Sequence, residues 1–178
     1  CSADISIYTS GTQFSTQCVT ADVPYSEGFE AVQATNQLPN CLSATNLGTR
    51  TFTYTAPVTG GVARTGTRYA AMVSGNTAPG DYIFTKAINL LAGTQYQLRF
   101  WYRRGDTFTS GTNTLTAWYG TSATSVAMTN AIGTAVNLNL ATTGQYQSFV
   151  QTFTPSSNGV YYIGIRRMAG TPATGVVS

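Results

Sequence analysis

Six carboxylates, Asp4, Asp22, Glu27, Glu30, Asp81 and Asp106, are the acids of this chain, and no histidine accompanies them. General acid–base catalysis needs two titratable groups brought together, one giving and one taking a proton. No two of these acids form a convincing pair. The serines lack a partner base, and the glycine-rich turns lack the strand-to-helix context of a phosphate loop. The residues therefore point away from an enzyme and towards recognition. Trp101 stands near Arg99 and Arg103, with Trp118 further along. Sugars stack flat ring faces on indoles and ask fixed polar groups for their hydroxyls. Trp101, Trp118, Arg99 and Arg103 thus form a candidate glycan-binding set. The competing reading is plain sheet packing, since tryptophan is usually largely buried and arginine often stacks on it without a ligand.

Three cysteines fall at positions 1, 18 and 41, which reads as one disulfide and one thiol. Cys1 and Cys18 flank a hairpin-like stretch, Ile5-Ser6-Ile7-Tyr8 and Gln13-Phe14-Ser15-Thr16, so a Cys1–Cys18 bond is expected, leaving Cys41 as a buried thiol. Cys18–Cys41 is the alternative, because spacing does not fix connectivity. Without histidine or a C-x-x-C pair, a zinc-type metal site is disfavoured.

The elements that must position these residues are strands. Helical periodicity is almost absent, and short alternating runs recur between Gly, Asn, Pro and Ser, the pattern of a sandwich or barrel. Strands are expected near 5–8, 12–17, 27–32, 50–55, 68–74, 81–85, 95–103, 113–119, 147–154 and 160–167. The stretch 121–141 has no clear assignment, and 175–178 reads as the opening of another strand. On 95–103, Tyr96, Leu98, Phe100 and Tyr102 share the core side, while Gln97, Arg99, Trp101 and Arg103 face out. On 113–119, Leu115, Ala117 and Tyr119 separate from Thr114, Thr116 and Trp118, so Trp101 and Trp118 are expected on one face. The fold class that follows is all-β.

Composition agrees. Hydrophobic residues make up 42% and aromatics 12% of the 178 residues, enough for a core, but charged residues only 8%, against about 25% in typical soluble domains. The polar surface comes from Thr, Ser, Asn, Gln and Gly, a β-rich, extracellular profile. The net charge of +3 is spread along the chain, so nucleic acid is not an expected partner. No apolar run approaches a membrane span, so no membrane insertion is expected. A boundary is expected near Val23-Pro24-Tyr25, because a lone hairpin ahead of it would not be stable by itself.

Pro24-Tyr25-Ser26-Glu27-Gly28-Phe29-Glu30 followed by Leu38-Pro39-Asn40-Cys41 resembles the opening of the cleaved-adhesin, or choice-of-anchor J, jelly roll of Bacteroidetes surface proteins. Asp81 to Leu90 followed by Gly93 to Tyr102, and Tyr146-Gln147-Ser148-Phe149 followed by Phe153-Thr154-Pro155 and Gly159 to Ile165, are similar to that family's later strands. Residues 1–23, with Tyr8-Thr9-Ser10-Gly11 and Cys18, look like the last strands of a fibronectin type III domain. The resemblance implies a jelly-roll β-sandwich over 24–178 behind a hairpin remnant at 1–23. It also implies a segment of a longer chain exported by the type IX system to the bacterial cell surface, where neighbouring domains of that chain are partners. Jelly rolls of this kind often hold calcium near the first strand. That makes Glu30, and less directly Asp81, the ligand candidates, the alternative being that Glu30 caps a strand and Asp81 belongs to a turn. Two departures stand out: Leu42 occupies a position where the family has Trp, and the closing strand with its acidic pair is expected beyond Val177.

The function expected on these grounds is a non-catalytic adhesin module whose partner is a glycan or surface polymer. The alternatives are a structural spacer of a long surface filament and an accessory domain of a secreted hydrolase. Exposure of Trp101 and Trp118 separates the first from the second.

Overall fold

The computed structural model describes residues 18–32, 37–45, 50–55, 62–74, 81–105, 113–138, 144–169 and 175–177. Eleven strands follow in order: β1 (Ser43–Thr45), β2 (Arg50–Thr55), β3 (Arg68–Ser74), β4 (Asp81–Phe84), β5 (Ile88–Leu90), β6 (Tyr96–Tyr102), β7 (Asn113–Gly120), β8 (Asn130–Leu138), β9 (Gln147–Phe153), β10 (Gly159–Ala169) and β11 (Gly175–Val177). The chain is an all-β sandwich. Its strand pairs are antiparallel, apart from an isolated parallel bridge between Ala21 and Ile88. Among the described residues no helix is long and apolar enough to cross a membrane.

One layer is a six-stranded sheet ordered β1-β4-β10-β7-β8, with β5 also on β10. The facing layer comes in two pieces, the pair β6–β9 and the trio β2–β3–β11. Period-two alternation fills the space between the layers. Leu115, Ala117 and Tyr119 of β7, Tyr161 and Ile163 of β10, and Ile132 of β8 meet Tyr102 of β6 and Phe149 of β9 in one cluster. Phe149 stacks on Phe100 with ring centroids 4.6 Å apart, and Tyr119 lies 4.9 Å from Phe153 across the interior. A smaller cluster covers the opposite side of the six-stranded sheet, where Tyr82, Phe84 and Met128 gather with Trp118, Ala123 and Tyr162 against it.

Strands 50–55 and 68–74 fall where the alternation placed them, and β4, β6, β7, β9 and β10 do so within two residues at either end. Residues 27–32 are not a strand. Glu27 Oε1 accepts the Phe29 N–H at 2.6 Å, and Phe29 adopts φ 63°, a left-handed conformation rare for a bulky residue. The expected strands 5–8 and 12–17 lie outside the described residues. The unassigned stretch holds β8, whose burial pattern lacks clean alternation. Gly133 turns there through φ +65° against Gln151, and the β7–β8 register slips between Leu115 and Ala117.

The disulfide joins Cys18 to Cys41, with Cα atoms 5.4 Å apart, in place of the expected Cys1–Cys18 bond. Residues 18–22 lie along the β4–β5 connection and β5. Ala21 N–H donates to Ala87 O, its carbonyl accepts from Asn89 N–H, each at 2.8 Å, and Asn89 Nδ2 donates to Asp22 Oδ1 at 2.8 Å. Ala21 is thus tied to the sandwich by its backbone, and Cys18 by its bond to Cys41. Cys41 is half-buried and bonded, not a free thiol.

Truncating Phe149 in the core between the layers tests this architecture. Phe149→Ala should cost about 3–5 kcal/mol in urea denaturation, whereas Val126→Ala, at an 87% exposed position, should stay within about 0.5 kcal/mol. Similar losses for both would contradict the assigned core.

Candidate functional site

Strand β6 pairs with β9 along one edge, and its other edge looks across a gap at β3. Arg68, Tyr69, Ala70 and Met72 form one wall of a cleft of about 280 Å³, and Arg99, Phe100, Trp101 and Tyr102 form the other. Glu27, Gly28 and Phe29 close it at one side, and Tyr146 also lines it. The floor is apolar, with Ile83, Leu115 and Ile165 of the opposite layer beneath. A second, larger opening of about 600 Å³ runs along the same strand between Tyr96 to Phe100 and the 23–29 segment. Tyr25 lines it. Its hydroxyl is pushed up to about 12, first by burial and then by the Glu27 carboxylate.

Trp101 sits at the mouth of the first cleft, 39% exposed, because it occupies an outward position of β6. The Arg64 guanidinium lies 3.7 Å from its ring centroid, and that of Arg99, two residues back on the same face, at 5.8 Å. Such contacts are worth about 0.5–1 kcal/mol at an exposed site. Two anchors fix the loop carrying Arg64. Tyr146 Oη donates to Val62 O at 2.7 Å. On the other side, Glu30 accepts from Thr67 N–H at 3.0 Å, Thr67 Oγ1 at 2.9 Å and Arg68 N–H at 2.9 Å. Gly66, at φ +66°, passes so near this carboxylate that a Cβ would collide with Glu30 Oε1.

The structure sorts the candidate residues. Trp101 and Arg99 stay together, but the second arginine at the ring is Arg64, not Arg103. β6 ends at Tyr102, and Arg103 beyond it is 4% exposed, its guanidinium 5.6 Å from the Tyr146 ring. Trp118 does not share the Trp101 face. It belongs to the six-stranded sheet, on the side away from the interlayer core, half-buried against the Tyr82, Phe84 and Met128 cluster, with Nε1 donating to Thr116 Oγ1 at 2.9 Å. Arg64 gave no signal in the sequence, since nothing in Val62-Ala63-Arg64-Thr65-Gly66 says which distant strand it meets.

The two calcium candidates play separate roles. Glu30 holds the ends of three donors at the start of β3. Asp81, 2% exposed, stands opposite Arg167 in the β4–β10 register. Burial pulls the Arg167 guanidinium down to about 10 while the Asp81 charge works the other way, and Arg167 Nη2 also donates to Asn113 Oδ1 at 2.7 Å. Calcium takes six to eight oxygens. Among the described residues no three Asp, Glu, His or Cys side chains gather as a metal set.

No family model matches the chain, and the search of curated proteins found no match. Solved structures are similar in fold. The K1 cleaved adhesin domain of Lys-gingipain from Porphyromonas gingivalis superposes with a TM-score of 0.58 at 15% identity, covering 85% of this chain and 90% of that one. The CBM22-1 xylan-binding domain of Xyn10C from Paenibacillus barcinonensis gives 0.51 at 7% identity, over 76% and 80%. An arabinose-bound GH51 α-L-arabinofuranosidase gives 0.61 at 12% identity over 84% of this chain, but 24% of the enzyme. At such identities the likeness defines the class of fold, a β-sandwich domain.

The Glu30 clasp predicts a pH response. Hydrogen bonds from Arg68 N–H, Thr67 Oγ1 and Thr67 N–H hold its carboxyl below the ordinary value of 4.5, and the Arg68 charge adds to this. A folded-state value below the unfolded one means the clasp contributes fully above pH 4.5 and is lost as pH falls through the lower value. In a Trp118→Phe background, Trp101 fluorescence should change below pH 4.5 as the Arg64 loop loosens, and Glu30→Gln should remove that transition. A transition unchanged by Glu30→Gln would rule the clasp out as its source.

Proposed function

We propose that this chain is a non-catalytic, glycan-binding module of a bacterial surface adhesin that is exported from the cell. The observation that carries the reading is Trp101, an indole 39% exposed at a cleft mouth with the guanidinium groups of Arg64 and Arg99 against its ring. Sugar recognition uses that combination: an aromatic platform for the apolar ring face and fixed donors for the hydroxyls. The chain has no histidine, and the Glu30 and Asp81 carboxylates are engaged in structural contacts, which supports a role without catalysis. Fold likeness to an adhesin domain and to a xylan-binding domain supports the same reading. The Cys18–Cys41 bond suits a protein of an oxidising compartment.

A polysaccharide and glycan-array screen of the purified chain beside Trp101→Ala tests it. Saccharide binding should be present, and the variant should weaken it by about tenfold or more, the range of an aromatic anchor, with thermal stability nearly unchanged. No binding by folded protein would remove the lectin reading and favour a spacer. Binding untouched by the substitution would move the site elsewhere.

A further inference from the structure

Arg64 and Arg99 are both exposed, and their guanidinium carbons lie within 6 Å of one indole ring. Among the described residues neither forms an ion pair with a carboxylate. The acids nearby are otherwise engaged. Glu27 lines the cleft with Oε1 accepting the Phe29 N–H, and Glu30 is spent on Thr67 and Arg68. In a chain with only 8% charged residues, this is a local excess of cation beside a sugar-stacking surface. A neutral saccharide would leave it uncompensated.

We infer that the cleft selects acidic saccharides, with Arg64 and Arg99 receiving the anionic substituent of a sugar whose ring face lies against Trp101. The inference rests on the glycan-binding reading and adds the class of ligand. Guanidinium is well matched to such an anion, because its planar fork of donors meets a carboxylate two atoms to two and its weak hydration keeps the cost of stripping water low. Arg64 is held over the ring by a loop anchored at Val62 and at Thr67, with its own side chain in solvent. Arg99 is fixed by its place on β6 and also borders the second opening, so an acidic polymer could run along the strand with further units over Gln97 and Arg99.

The test is affinity electrophoresis and titration calorimetry of the chain with polygalacturonate, dextran sulfate, neutral dextran and neutral xylan, each at low and at high NaCl, about 50 and about 500 mM, chosen to shorten the screening length severalfold. Acidic polymers should bind at least about tenfold more tightly than neutral ones at low salt and lose most of that margin at high salt. Polygalacturonate against dextran sulfate tells carboxylate from sulfate selection. Arg64→Gln and Arg99→Gln should each bring acidic binding down towards the neutral level without shifting the melting temperature. Neutral polymers bound as tightly as acidic ones, or acidic binding unmoved in both variants, would overturn the inference and leave glycan binding standing. No binding of any polymer, neutral or acidic, by the folded parent chain would overturn both.

Discussion

The constraint on which this structure hangs is the pairing of β10. Eleven residues long, it holds β4 and β5 on one edge and β7 on the other. Its inward residues Tyr161, Ile163 and Ile165 lie under both halves of the facing layer. Because one strand fixes the register of three neighbours, the six-stranded sheet is a continuous platform. The other layer can then be assembled from two pieces, of which the β6–β9 pair packs down on β7 and β10 through Tyr102, Phe149 and Phe153.

The cleft is a product of that division. Where β3 and β6 stand side by side without closing into one ladder, the gap between them reaches the interlayer core, which is why its floor is Ile83, Leu115 and Ile165. The mouth is polar for a different reason. The loop ahead of β3 is pinned by Glu30 at one end and Tyr146 at the other, so Arg64 is presented over Trp101 by contacts that span residues 30 to 146. A ligand meets an apolar slot with a cationic, aromatic rim, and the rim is prearranged by the fold.

Much of this fold is legible in the residues, and the failures share one physical origin. Alternation on β6 and β7 identifies which side chains face the core, because each strand has one buried face and so keeps a clean period of two. Alternation reports the side of a strand's own sheet and not which sheet that is, so it pairs Trp101 with Trp118 although they belong to opposite layers. The pattern also cannot see what covers a position: Arg103 continues the outward series by its spacing, yet it lies beyond the end of β6, buried with Tyr146 against its guanidinium. β8 escapes because Gly133 and the slip beside Leu115 break its period. Arg64 escapes because a contact made by a loop depends on anchors far away in sequence. The first turn at 27–30 carries strand-like residues, but Glu27 captures the Phe29 amide and bends the backbone out of extension.

The Cys18–Cys41 bond has a mechanical meaning. A pull applied ahead of Cys18 crosses the sulfur atoms to Cys41 and enters the sandwich at β1, so the segment between the two cysteines carries no tension. That segment, spanning a separation of 23 residues, would extend to roughly 80 Å if it could be drawn out, at about 3.4 Å per residue. Glu27, Gly28 and Phe29, which form one side of the cleft, lie within it. Load entering there therefore bypasses the backbone of this wall of the cleft.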